Sequence, residues 1–160
     1  MDPLLVEQVR LDSPGVQELL AELNTELKRS IIAFSPSGGS VVSNDEFSPP
    51  DGIFLLASRH TKPIACGGLR RLTSDGGEIK RFYVTPTARG QGFGRRLLVD
   101  IEHHATGLSF KTLRLDTDGK DPAALALFHC LGYQPIPDYN QNPYARHWFE
   151  KHLPNRPVDT

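Results

Sequence analysis

Apolar and polar positions partly alternate through residues 4–11, LLVEQVRL, which predicts a first strand. The period then changes. Val16, Leu19, Leu20, Leu23 and Leu27 recur at helical spacing, with Ser13 suited to cap the helix and Pro14 to its first position. Lys28 and Arg29 near its end suit the helix dipole. Three further strands follow, at 52–60 (GIFLLASRH), 64–72 (IACGGLRRL) and 78–84 (EIKRFYV). Short turns join them, so they form an antiparallel meander. Gly67 and Gly68 inside the middle one predict a bulge or the close approach of another group. A second helix carries Leu97, Leu98, Ile101 and Ala105 on one face, and residues 111–117 (KTLRLDT) read as a strand. A third helix opens at Asp121 and Pro122, buries Ala124, Leu125, Phe128 and Leu131, and ends at Gly132. YQPIP and YARHWFEKHL supply two last strands. The order β, α, loop, β, β, β, α, β, α, β, β predicts a mixed sheet with helices, α/β in the broad sense.

One stretch breaks the pattern. Residues 35–51, SPSGGSVVSNDEFSPPD, are rich in Ser, Gly, Pro and Asp and read as a loop, either mobile beside a site or a spacer. With 160 residues, the expectation is a single domain over 1–160. The formal net charge of −1 argues against a nucleic-acid or membrane-surface partner. No apolar run approaches a membrane span, and the first residues lack a secretory signal. The two cysteines, Cys66 and Cys130, form no CxxC pair, so reduced thiols and a cytoplasmic location are expected. The histidines predict no metal: His103 and His104 are adjacent and face different ways on a helix.

The candidate chemistry lies in VTPTARGQGFGRR, residues 84–96. Glycine lets a ligand approach the backbone, and a helix start offers free N–H groups and a positive dipole end. A strand, a glycine-rich turn and a helix therefore predict a phosphate cradle. The dinucleotide pattern fails, because Arg95 stands where its third glycine belongs. The nucleotide-triphosphate loop fails too, because Arg95 and Arg96 follow Gly94 in place of Lys and Ser or Thr. Arg89, Gly92 and Gly94 instead make [Q/R]-x-x-G-x-[G/A], which resembles the pyrophosphate loop of the GNAT superfamily of N-acetyltransferases. DPAALALFHCLGY is similar to that family's second motif, with Ala124, Leu127, Gly132 and Tyr133 in register. Asp121 stands where Asn is usual and Phe128 where Tyr is usual.

The resemblance implies a mostly antiparallel sheet of about seven strands flanked by helices, with acetyl-coenzyme A as co-substrate. It implies cofactor contacts from Phe82, Tyr83, Val84, Arg89, Gly90, Gln91, Gly92, Phe93, Gly94, Arg95, Asp121, Ala124 and Phe128. Val84 is the usual place for the N–H that faces the thioester oxygen, and Glu78 is the expected general base. Phe128 has no proton to give, so either the thiolate leaves unaided or another group serves, with Tyr133, Tyr139, Tyr144 and His147 as candidate acids. The acceptor would be a small-molecule amine, met by one of Arg70 and Arg71, one of Lys80 and Arg81, and by Asn140, Asn142 or Tyr144. Strand alternation sends Lys80 and Arg81 to opposite faces. Trp148 and Phe149 alternate in the last strand, where one face is open to a homodimer. Four alternatives stay open: an acetyl-coenzyme A sensor or partner module without catalysis, transfer to a protein or peptide, transfer of a larger acyl group, and attack by a hydroxyl.

Overall fold

The computed structural model describes residues 3–30 and 43–154. Seven strands form one sheet: β1 (Leu5–Gln8), β2 (Gly52–Arg59), β3 (Lys62–Arg71), β4 (Gly76–Val84), β5 (Thr112–Thr117), β6 (Gln134–Pro135) and β7 (His147–His152). Three helices accompany them: α1 (Pro14–Ser30), α2 (Phe93–Gly107) and α3 (Pro122–Cys130). The strand order is β1-β2-β3-β4-β5-β7-β6. Every pairing is antiparallel except β4 with β5, whose parallel connection runs through α2. This is the mostly antiparallel, helix-flanked sheet that the sequence predicts.

The unbroken apolar run in β2 has a simple cause: both faces of the sheet are covered. Ile53, Leu55 and Ala57 pack with Leu97, Leu98 and Ile101 of α2, while Phe54 and Leu56 pack with Val16 and Leu19 of α1. Ser13 does not cap α1 with its side chain. Its carbonyl accepts from Gln17 N–H at 3.0 Å, while among the described residues its buried Oγ has no partner.

Residues 35–42 of the predicted loop lie outside the described residues. Within 43–51 the chain makes a one-turn 3-10 helix, Asn44–Phe47, and the Phe47 ring is buried edge-on against Phe54. That ring explains Gly68. A Cβ there would lie 2.6 Å from Phe47 Cε1 and 2.7 Å from Phe54 Cδ2.

The bulge expected at the β3 glycines is found in the β3–β4 ladder, with the extra residue on β4. Gly68 opposes Lys80, whereas Cys66 opposes Tyr83, so β4 has one residue more than β3 across that step. Arg81 takes it up with φ of 57°, a conformation that costs an L-residue on the order of 1 kcal/mol. Glu78, opposite Arg70, and Lys80 share the α1 face with Tyr83, so two consecutive β4 residues must also share a face. Arg81 joins Lys80, since its electrostatic neighbours are Arg70, Asp116 and Glu78. The alternation expected for Lys80 and Arg81 is thereby corrected: the bulge cancels it.

Gly68→Ala should therefore overpack the Phe47–Phe54 contact and lower stability by about 1–3 kcal/mol in urea denaturation. An unchanged midpoint would contradict this packing.

Candidate active site

β4 and β5 pair over Gly76–Glu78 and Thr112–Arg114 and then separate. The wedge between them opens into a cleft of about 560 Å³, lined by residues 79–84 of β4, residues 115–118 at the end of β5, and parts of α1, α2 and α3. Thr85 N–H donates to Ile64 across β3 at 2.9 Å. By strand alternation, the Val84 N–H faces the other way, toward the cleft.

The glycine loop forms one end of this cleft. Gly90 and Gly92 adopt φ of 78° and 85°, and Gly92 caps α2. A Cβ at either would meet nothing within 4 Å, so it is backbone conformation and not crowding that requires glycine there. No acidic residue lies in the first turn of α2, whose N-terminal N–H groups and dipole favour an anion. Arg95 lines the cleft, whereas Arg96 pairs with Asp100 at 3.2 Å. Arg89 is held to the strand and to α1: its Nε donates to the Val84 carbonyl at 2.8 Å, and its Nη2 pairs with Glu26 at 2.9 Å. Tyr83 donates to the same Glu26 at 3.1 Å, and Thr85 donates to Glu22 at 3.1 Å.

Of the cofactor residues expected from the sequence, Phe82, Tyr83, Val84, Arg89, Gly90, Gly92, Phe93, Gly94, Arg95, Asp121, Ala124 and Phe128 all line the cleft. Gln91 does not; its side-chain amide donates back to the Thr87 carbonyl at 3.3 Å. Asp121 caps α3, accepting from Ala123 N–H at 3.0 Å. Phe128 is buried edge-on against Phe82 and Tyr133.

The other end of the cleft is built from charge. Glu78 is 1% exposed. Its Oε1 accepts from Arg70 Nε at 3.0 Å, and its Oε2 accepts from the Tyr139 hydroxyl at 2.6 Å and Asn140 Nδ2 at 3.3 Å. Arg70 also reaches Glu46 at 2.7 Å. Lys80, itself buried, stands 3.0 Å from Asp116 Oδ2 and 3.6 Å from Glu78 Oε2. Asn140 Nδ2 also donates to Asp116, and its Oδ1 accepts from Trp148 Nε1 at 2.9 Å. Asn142 Nδ2 meets Asp116 Oδ1 at 3.3 Å. Burial and then Glu78 push the Tyr139 phenol far above its ordinary range, so it keeps its proton and donates. Burial and then Arg70 pull Arg81 down, partly offset by Asp116 and Glu78.

Lys80, Arg81, Asp116, Asn142 and Tyr144 line the cleft, whereas Glu78 and Arg70 stand behind it. Of the four candidate acids, only Tyr144 lies on the cleft wall. Tyr133 donates to Glu102 at 2.7 Å, Tyr139 to Glu78, and the exposed His147 stacks on Phe149. Asp116 and Glu46 escaped the sequence reading. Neither had a signal: Asp116 stands at a polar step of TLRLDT, out of phase with the buried Leu113 and Leu115, and Glu46 lies in the predicted loop. Among the described residues no cluster of His, Cys, Asp and Glu is arranged to hold a metal, and no helix is long and apolar enough to cross a membrane.

A model of the Acetyltransferase (GNAT) family matches residues 17–133. An IAA acetyltransferase from Azospirillum brasilense is 33% identical over 139 residues, covering 84% of this chain and 90% of that one. A solved structure from Klebsiella pneumoniae subsp. pneumoniae MGH 78578, assigned as an acyl-CoA N-acyltransferase, superposes with a TM-score of 0.74 at 27% identity, over 94% of this chain and 97% of the other. PaiA N-acetyltransferase from Thermoplasma acidophilum, solved in complex with coenzyme A, gives 0.70 at 14% identity over 94% and 99% of the two chains.

Removing one partner from a buried ion pair strands the other charge. Arg70→Met, leaving Glu78 and Glu46 without their guanidinium, should lower stability by about 3–5 kcal/mol in denaturant unfolding. A loss below about 1 kcal/mol, as for a surface pair, would contradict the burial described.

Proposed function

The chain belongs to the acetyltransferase (GNAT) family and is an acyltransferase, and on that premise we propose that it moves an acetyl group from acetyl-coenzyme A to the primary amine of a small molecule, with both substrates bound together. The cleft carries this reading: it has a glycine loop at a helix start at one end, an unpaired strand edge along its floor and a carboxylate-bearing wall at the other. The coenzyme A complex of the PaiA relative supports the choice of co-substrate. We place the acceptor in the part of the cleft lined by α1, β4 and the connection between β6 and β7.

The roles follow from position. N–H groups of residues 91–95 hold the pyrophosphate, with Arg95 adding charge. Arg89 keeps the loop against Val84 and α1. The Val84 N–H meets the thioester oxygen and stabilises the negative charge that develops there. The amine nitrogen bonds to the carbonyl carbon, the carbon–sulfur bond breaks, and sulfur leaves with the electron pair. The proton lost by the amine goes to a carboxylate pair that shares Asn140 and Lys80: Asp116 on the cleft wall and Glu78 behind it. A thiol with an ordinary pKa of about 8.5 leaves without a strong acid, so Phe128 in place of tyrosine is tolerated, and Tyr144 is the hydroxyl positioned to return a proton.

Incubation with acetyl-coenzyme A and a panel of amines, followed by thiol release and product mass, tests this. An acetylated amine is expected, and its absence across the panel counts against the small-amine reading. Glu78→Gln and Asp116→Asn should each lower kcat by about 10²–10⁴-fold with coenzyme binding retained. Full activity in both would remove the pair from the reaction.

A further inference from the structure

We infer that Asn140 is a positioning residue of the transfer: locked by Trp148, its side-chain amide sets which oxygen of Asp116 meets the acceptor amine. This rests on the acetyl-transfer reading above and deepens it.

The first observation is the amide itself. Asn140 lies in the connection between β6 and β7 and does not line the cleft. Its Nδ2 donates to Glu78 Oε2 at 3.3 Å and to Asp116 Oδ2. Its Oδ1 accepts from Trp148 Nε1 at 2.9 Å and from Asn142 N–H at 3.2 Å. Ionised carboxylates only accept and an indole N–H only donates. Turned end for end, the amide would set its oxygen against two carboxylates and its NH₂ against two donors. Its orientation is therefore fixed. Trp148 opposes Asp116 in the β5–β7 ladder, so the two side chains share a face.

The second observation is the asymmetry this leaves on the carboxylates. Asp116 Oδ2 is taken by Lys80 Nζ at 3.0 Å and by Asn140. Among the described residues, Asp116 Oδ1 meets only Asn142 Nδ2, at 3.3 Å. A carboxylate oxygen accepts two hydrogen bonds, so Oδ1 keeps capacity for the proton of an amine. Glu78 is off the cleft, its Oε1 taken by Arg70 at 2.9 Å and its Oε2 by Tyr139 and Asn140. The amine therefore meets the pair at Asp116 Oδ1. The charged and titratable groups around the pair are Lys80 and Arg81 from β4, Arg70 from β3, Glu46 from the 3-10 turn and Tyr139 from the connection. Asn140 is neutral, so it orients both carboxylates without adding charge.

Two variants test this, assayed with acetyl-coenzyme A and the best acceptor from a panel of amino acids, polyamines and aminoglycosides. Asn140→Ala removes the amide. It should lower kcat roughly 10–100-fold at neutral pH, less than the 10²–10⁴-fold of losing a general base, with coenzyme A affinity unchanged. Trp148→Phe leaves the bonds to the carboxylates and removes the donor that locks the amide. It should lower kcat about 2–10-fold, the range one hydrogen bond supports. Both losses should shrink as pH rises toward the range where the acceptor arrives as free amine, because a free amine has no proton to surrender before attack. Damage to the fold alone would not recover in that way. If Asn140→Ala does not fold, Trp148→Phe decides. Wild-type kcat in the folded variants, or a loss that stays constant with pH, would overturn the inference and leave the acetyl-transfer reading standing. If the wild type acetylates none of the panel, both fail.

Discussion

β4 is paired on both edges only up to Glu78. After that it keeps β3 and leaves β5, and the bulge at Arg81 falls in the part that has left. The parting exposes the backbone edge of Val84, opens the cleft, and aims the glycine loop and the start of α2 at its mouth. A sheet that stayed paired along β4 and β5 would bury the same apolar residues and have no slot. The cost of unpaired backbone on that edge is tolerable because the site is where a substrate can bond to it.

What fills the wedge behind the slot is polar. Glu78, Lys80 and Asp116 are nearly enclosed, which is expensive unless every charge has partners. The partners come from distant parts of the chain: Arg70 from β3, Glu46 from the 3-10 turn, and Tyr139, Asn140 and Asn142 from the connection between β6 and β7. The proposed acceptor wall is thus also a structural joint between the two halves of the sheet. In the proposed reaction its residues would serve stability and chemistry at once.

Much of this was legible in the sequence because it is local. Period two and period 3.6 place the strands and helices, and the loop motif with its flanking strand and helix identifies the family. Phe128, read as a departure from the usual tyrosine, is indeed a buried ring without a hydroxyl in that place. The acceptor wall was harder, for two physical reasons. Asp116, Glu46 and Arg70 come together only through strand order and register, which no single stretch encodes. The bulge adds one residue and reverses the facing of everything after it on β4, so simple alternation misplaced Arg81 relative to Lys80. The glycines Gly67 and Gly68 marked the position of the irregularity, without saying which strand carried the extra residue.

The central claim is that the β4 edge left open by β5 receives the pantetheine arm. Amide hydrogen exchange at single residues, with and without coenzyme A, tests it most directly. Val84 N–H should become markedly slower to exchange when coenzyme A is added, while Thr85 N–H, already bonded to Ile64, stays as it was. Equal rates at Val84 with and without the coenzyme, under conditions where binding is saturated, would contradict the account.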